Sequence, residues 1–443
     1  MMRQPSSARP PLFPLLAGVG IAVLAAGCGT SSGPSASTSP SAAASAAPSA
    51  SGPVSLAAAA PSGIKNPANF GDQVQVAVPK AGAPVVAYTW IDAHDKGSAA
   101  PGDDQLLSVA FDPASRTWGA PVTIVDAPME HHSSSSSIAM AADAASNTVA
   151  VAYEDQNPDS SSKGIKLAFS VDGGKSWTPS TVSATAGSTF PAIAMGGGKV
   201  YVAYTVGDVE SVTVSQATLP LSGTTRWTQS NAPRIGSADL VHFAPAIALD
   251  STGAPYLAYH LAGDSGGVTI GVWKVGSATA VKVFDSDGVQ NDFASVGIAF
   301  KGTTAVVTSS LDRSNNGDDS VIFWEVTSTD GGKTWSAGTK VPPDKGESSP
   351  FGVSMAANSS EVLLTYVPNS GSGAATCGTP KLAESSDLTT WKTCSPEGGP
   401  APAVASGFHP GAASGPDGTL YVGFNNSDPA GVPAGVLLWT KPA

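Results

Sequence analysis

The chain is 443 residues long and carries 34 acidic against 22 basic side chains, a net charge of −12. That balance argues against nucleic acid or an anionic membrane surface as the partner, because both are recognised through positive charge. The length exceeds that of a usual single domain, which leaves several domains or an array of repeats.

At the N-terminus, Arg3 and Arg9 precede an apolar run from Leu12 to Ala26 that is short for a membrane span and broken by Gly and Pro. It reads as a signal peptide over residues 1–27. The run ends in Leu24-Ala-Ala-Gly27-Cys28, which resembles a bacterial lipobox with Ala25 in the slot of the usual Leu. The resemblance implies export, cleavage before Cys28, lipidation of its thiol and anchorage on the outer face of the cytoplasmic membrane. The alternative is an ordinary signal peptide followed by a chance cysteine. Residues 28–52 are almost wholly Ser, Ala, Pro, Gly and Thr, too poor in apolar surface to offset their ordering entropy, and read as a disordered tether. Beyond Cys28 only Cys377 and Cys394 remain. In an exported chain they read as a disulfide within one repeat.

Residues 53–443 are rich in Gly and Val without long helical periodicity, and read as all-β. They divide into units of roughly 50–65 residues. Each opens on a small apolar strand, as in Phe190-Pro-Ala-Ile-Ala, Phe243-Ala-Pro-Ala-Ile-Ala, Phe293-Ala-Ser-Val-Gly-Ile-Ala, Phe351-Gly-Val-Ser-Met-Ala and Phe408-His-Pro-Gly-Ala-Ala. A stronger second strand follows and ends on Tyr88, Tyr153, Tyr204, Tyr259, Tyr366 or Phe424, with Ser309 in that place in the fifth unit. Such Val- and Tyr-rich runs between turn clusters are strand signals. The count predicts seven four-stranded units, with six plus an edge hairpin as the alternative. The seventh unit stops after its third strand, Val436-Leu-Leu-Trp439, which would leave an open edge. Val54-Ser-Leu-Ala-Ala58 is available to supply the fourth strand and close a ring.

Two stretches between third and fourth strands repeat closely: Ser170-Val-Asp172-Gly173-Gly174-Lys-Ser-Trp177 and Ser328-Thr-Asp330-Gly331-Gly332-Lys-Thr-Trp335. The carboxylate can bond nearby backbone N–H groups, the glycines can take φ > 0, and the indole can cap a hydrophobic layer. Remnants stand at Asp112 to Trp118, Arg226-Trp227 and Ser385 to Trp391. The pattern resembles the Asp box, or BNR repeat, of sialidase-like β-propellers. The resemblance implies a propeller over residues 53–443, with the boxes on the face away from the ligand site. It puts that site at the mouth of the central channel, among loops entering each first strand and leaving each second strand. Sialidases have six blades, so a count of seven departs from the enzyme.

On that arrangement all six histidines, His94, His131, His132, His242, His260 and His409, fall in mouth loops, as do Glu130, Glu154, Asp155 and Arg313. A sialidase resemblance implies an arginine cluster, because arginine holds a sugar carboxylate by a bidentate fork. Past the signal the chain has only Arg116, Arg226, Arg234 and Arg313, and the first two belong to box turns. Sialic-acid hydrolysis is therefore disfavoured. Hydrolysis of a neutral glycan needs only two carboxylates about the bond, and Glu130, Glu154 and Asp155 enter and leave one unit. Glu130, His131 and His132, with His94 or His409, offer metal-ligand chemistry, but no tight spacing motif supports it and no cofactor is required. The leading reading is a monomeric, non-catalytic recognition domain for a glycan or an envelope protein, with the histidines and Arg313 at its mouth. A glycoside hydrolase using Glu130, Glu154 or Asp155 is the alternative, and a metal-dependent enzyme at His131 and His132 the third.

Overall fold

A computed structural model describes residues 54–55, 70–90, 105–126, 137–156, 161–207, 211–235, 244–262, 268–285, 295–311, 322–341, 348–369, 381–393, 409–426 and 435–443. They form seven antiparallel sheets; six run in chain order from the inner strand outward, and the seventh is completed by the N-terminal strand. The inner strands are Phe70–Ala77, Ile138–Ala142, Ser188–Gly196, Ala246–Leu249, Val296–Lys301, Ser348–Ala357 and Gly411–Ser414. Each packs against the inner strands of both neighbours, which closes the wheel. The protein is a seven-bladed β-propeller. The N-terminal strand Val54–Ser55 closes it, pairing Val54 with Leu438 and Ser55 with Leu437 as the outer strand of blade 7. The third strand of blade 7 thereby gains a partner along its otherwise open edge.

One register runs through all seven blades. The residues that end the second strands in sequence, Tyr88, Tyr153, Tyr204, Tyr259, Ser309, Tyr366 and Phe424, each lie one place past an inner-strand pairing. Those pairings are Gln75 with Ala87, Ala139 with Ala152, Ala192 with Ala203, Ala246 with Ala258, Gly297 with Thr308, Ser354 with Thr365 and Gly411 with Gly423. Two residues further along every inner strand stands an alanine: Ala77, Ala141, Ala194, Ala248, Ala299, Ala356 and Ala413. Seven strands converging on one axis leave room only for small side chains at that level, while the larger aliphatics fill the seams between blades.

The two repeated turns are wired alike. Ser170 and Ser328 each accept the N–H of the second glycine, Gly174 or Gly332, at 2.8 Å. The Asp172 carboxylate accepts the N–H groups of Lys175 and Ser176 at 3.0 Å and the Ser176 hydroxyl at 2.7 Å. Asp330 does the same toward Lys333 and Thr334. Burial pushes the Asp172 carboxyl up, but hydrogen bonds from the Ser176 and Ser170 hydroxyls and from backbone N–H groups outweigh it and hold it at about 2. The Ser385 to Trp391 stretch keeps the wiring one residue shorter, with Leu388 at φ +62° giving its N–H to Ser385 at 2.9 Å. Each turn tryptophan packs onto the preceding blade: Trp118 on blade 7, Trp177 on blade 1, Trp227 on blade 2, Trp335 on blade 4 and Trp391 on blade 5. The turns are thus fasteners between blades.

Candidate functional site

The inner strands start at the end of the wheel opposite these turns, and a cavity of about 190 Å³ opens there between all seven. Its described wall carries no Asp, Glu, Lys or Arg side chain. Gln75, Ser295, Ser354 and His409 contribute polar groups, and Met140, Ile193, Ile247 and Met355 contribute apolar ones. A second cavity of about 260 Å³, lined by alanine, valine, isoleucine and leucine among others, lies toward the turn side.

Two residues before each small inner-strand position, the register places Gln73, Ser137, Phe190, Ala244, Ser295, Gly352 and His409 around the mouth. Gln73 stitches three blades there. It bridges to His409 of blade 7, whose carbonyl accepts the Val74 N–H at 3.1 Å. Its own Oε1 accepts the N–H groups of Ser137 and Ile138 in blade 2, at 2.8 and 3.1 Å. No sequence motif announced Gln73; its signal was its place, two residues ahead of an inner strand.

Phe190 has φ +56°, in the left-handed region, immediately before Pro191. Gly352, at the equivalent position of blade 6, has φ +58°. Glycine adopts that conformation freely, whereas a side chain costs about 1–2 kcal/mol there. Phe190 is held by its N–H, which donates to Glu154 Oε1 at 2.6 Å. The ordinary preference for Ala over Gly should therefore be reversed at this position. Phe190→Gly should be more stable than Phe190→Ala by about 1 kcal/mol, read as a higher urea midpoint.

The expectation that Glu154, Asp155 and His260 stand in mouth loops is corrected. Glu154 and Asp155 lie inside the strand Val149–Gln156, and His260 inside Pro255–Ala262. Glu154 and His260 share one register position, just past the aromatic residue, and both are buried. Asp155 Oδ2 pairs with Lys166 at 2.8 Å. Burial pushes the His260 imidazole down to about 3, so it is neutral at any physiological pH. The second strands simply run further toward the mouth than their apolar cores suggest. His409 does reach the mouth cavity, although its side chain is buried. His94, Glu130, His131, His132, His242, Arg313, Cys28, Cys377 and Cys394 lie outside the described residues. Among the described residues no three His, Cys, Asp or Glu side chains gather as a metal set.

Fold and mouth together define a propeller whose central opening is walled, among the described residues, by backbone and by mostly apolar side chains. No protein-family model matches the chain, and no curated protein does. Among solved structures it is similar to a protein of unknown function from Dyadobacter fermentans, at 15% identity over 88% of this chain and 98% of that one, TM-score 0.46. It is also similar to the BP39L lectin from Burkholderia pseudomallei, at 14% identity over 84% and 99%, TM-score 0.47. A third likeness is to the Hadza microbial sialidase Hz136, at 12% identity over 84% and 66%, TM-score 0.45. Likenesses this distant add nothing to the ring described above.

Proposed function

We propose that this protein is a recognition module of the bacterial cell envelope, lipid-anchored through Cys28 on the outer face of the cytoplasmic membrane. Its repeated turns are Asp boxes, and its channel mouth binds a glycan or a protein loop without chemistry. The observation that supports this most is the engagement of the two described carboxylates a hydrolase would have used. Glu154 is fully buried and holds the Phe190 N–H, and Asp155 is ion-paired to Lys166. A general acid has to reach the leaving oxygen within hydrogen-bond distance, and a base has to reach its water. Glu154 is instead part of the frame that sets the start of blade 3. The mouth wall supports the same reading, since Gln75, Ser295 and Ser354 offer hydrogen bonds beside apolar methionine and isoleucine surface.

The test pairs a panel of aryl glycosides with glycan and peptide arrays. Saturable binding without turnover is expected, weakened about five- to tenfold in Gln75→Ala or Ser295→Ala, the loss of about one uncharged hydrogen bond. Turnover that disappears in a folded Glu154→Gln protein would instead establish the hydrolase.

A further inference from the structure

Beneath the mouth, the third strands carry a second shared position, the one paired across from Ala87 and its equivalents. In five blades it is aliphatic: Leu167, Val214, Val272, Leu382 and Leu438. In blade 1 it is Ser108 and in blade 5 it is Glu325. These two polar residues each accept a hydrogen bond from an indole of the next blade. Trp177 Nε1 donates to Ser108 Oγ at 2.9 Å, and Trp391 Nε1 donates to Glu325 Oε2 at 2.5 Å. Where Leu438 or Leu167 stands there, the facing indoles of Trp118 and Trp227 have no hydrogen-bond partner among the described residues. Serine would have sufficed at the fifth blade, as it does at the first. A carboxylic acid adds something serine lacks, which is a titratable proton.

Glu325 is only 2% exposed, and its Oε1 has no hydrogen-bond partner among the described residues. Its neighbours within the sheet are Thr308 and Thr339. The blade 6 side chains packed onto the seam include Met355, Leu388 and Trp391. The charged group that acts on it is Asp387, of like sign, from the turn of blade 6. Among the described residues an ionised carboxylate here is a buried charge with one hydrogen bond and no cation acting on it, whereas the protonated acid keeps the indole bond and loses the repulsion. Burial, opposed by the indole hydrogen bond and reinforced by Asp387, pushes the group up to about 7. The seam leads to the mouth in two steps: Thr308, paired with Glu325, donates to Met355 Sδ at 3.3 Å, and Met355 lines the cavity.

We propose that Glu325 is a proton-controlled latch on the seam between blades 5 and 6, closed when its carboxyl is protonated and loosened when it ionises, with Met355 carrying the change to the mouth.

The sign follows from linkage. A carboxyl raised in the folded state makes the fold bind the proton more tightly than the unfolded chain does. Stability is therefore lost as pH climbs from 4.5 to about 7, and no further above that. The indole N–H of Trp391, followed by ¹H–¹⁵N spectra of the intact protein from pH 5 to 9, should shift with a midpoint near 7, while that of Trp177 on Ser108 stays flat. Glu325→Gln keeps an acceptor for the indole and removes the titration. It should melt about 2–4 °C above the parent at pH 8, a gap that closes toward pH 4.5. A Trp391 signal that is flat, or that moves with a midpoint below 5, overturns the latch. So does a Glu325→Gln difference that is the same at every pH. The wild-type spectra decide the matter alone if the variant does not fold.

Discussion

Replacing Gly164 by alanine is expected to destabilise the protein by about 3–5 kcal/mol. Gly164 sits on the third strand of blade 2 with φ +130°, a conformation that side chains rarely adopt. A β-carbon built there would lie 2.1 Å from the Ser183 carbonyl oxygen and 3.0 Å from its carbon. Both are backbone atoms of the adjoining strand, so no rotamer change relieves the clash. The pairing of the second and third strands slips beside this residue, between Asp155 and Gln156, and that of the third and fourth slips between Thr181 and Ser183. Glycine thus permits the close approach of the Ser183 backbone at this irregular pairing. Urea unfolding should show a lower midpoint at unchanged slope. A loss under about 1 kcal/mol would mean that the strands can move apart here at little cost.

The two rims of the wheel differ in how their polar groups are used. On the turn rim Asp112, Asp172, Asp250, Asp330 and Asp387 each accept hydrogen bonds from their own turn. A carboxylate satisfied in this way is a poor ligand and a poor base, so that rim has a part in folding and in fastening blades. At the mouth the bonds run between blades instead, from Gln73 to blade 2 and from Glu154 to blade 3. The described strand ends at the mouth are thus tied to their neighbouring blades, an arrangement that would lower the ordering cost of any binding there.

The ring was legible in the chain because its elements repeat chemistry that has a single structural use. Small apolar starts such as Phe190-Pro-Ala-Ile-Ala became inner strands, and the seven second-strand markers fell on one register. The unpaired third strand at Val436-Leu-Leu-Trp439 found its partner in Val54–Ser55. What failed was the boundary between strand and loop. Glu154, Asp155 and His260 follow an aromatic residue and are polar, which is the pattern of a strand giving way to solvent. In a propeller the blade faces are covered by neighbours, so a polar residue at the end of a second strand is still buried and must find a partner inside. Alternation could not show this, because burial of both sheet faces removes the polar–apolar contrast that it reads. Glu325 was hidden for the same reason: its partner, Trp391, is 66 residues away on another blade.

Lys441→Met is expected to cost about 2–3 kcal/mol at neutral pH. Lys441 closes the third strand of blade 7, and its ammonium reaches Glu361 at 2.7 Å and Glu384 at 2.8 Å, both on blade 6. Removing one partner of a buried pair typically costs about 3–5 kcal/mol, because the remaining charges keep their desolvation without compensation. Here the lysine side chain is 30% exposed, so water recovers part of that loss, while Glu384, at 6%, stays dry. Burial tends to lower the Lys441 ammonium, but the hydrogen bonds it donates to Glu361 and Glu384 outweigh this and raise it above its ordinary value. A raised lysine contributes fully below its unfolded pKa and loses that contribution only as pH climbs through the alkaline range. The gap between parent and Lys441→Met should therefore hold across neutral pH and narrow above about 10.5. If the cost is that of stranded carboxylates, Lys441→Met with Glu384→Gln will be more stable than Lys441→Met alone. Simple additivity in that cycle would mean that the clamp adds nothing beyond packing. Since the clamp seats blade 7 on blade 6 and Val54–Ser55 completes blade 7, its loss should also loosen the closing strand. Hydrogen exchange at Leu437 and Leu438 should then accelerate before that of blade 2.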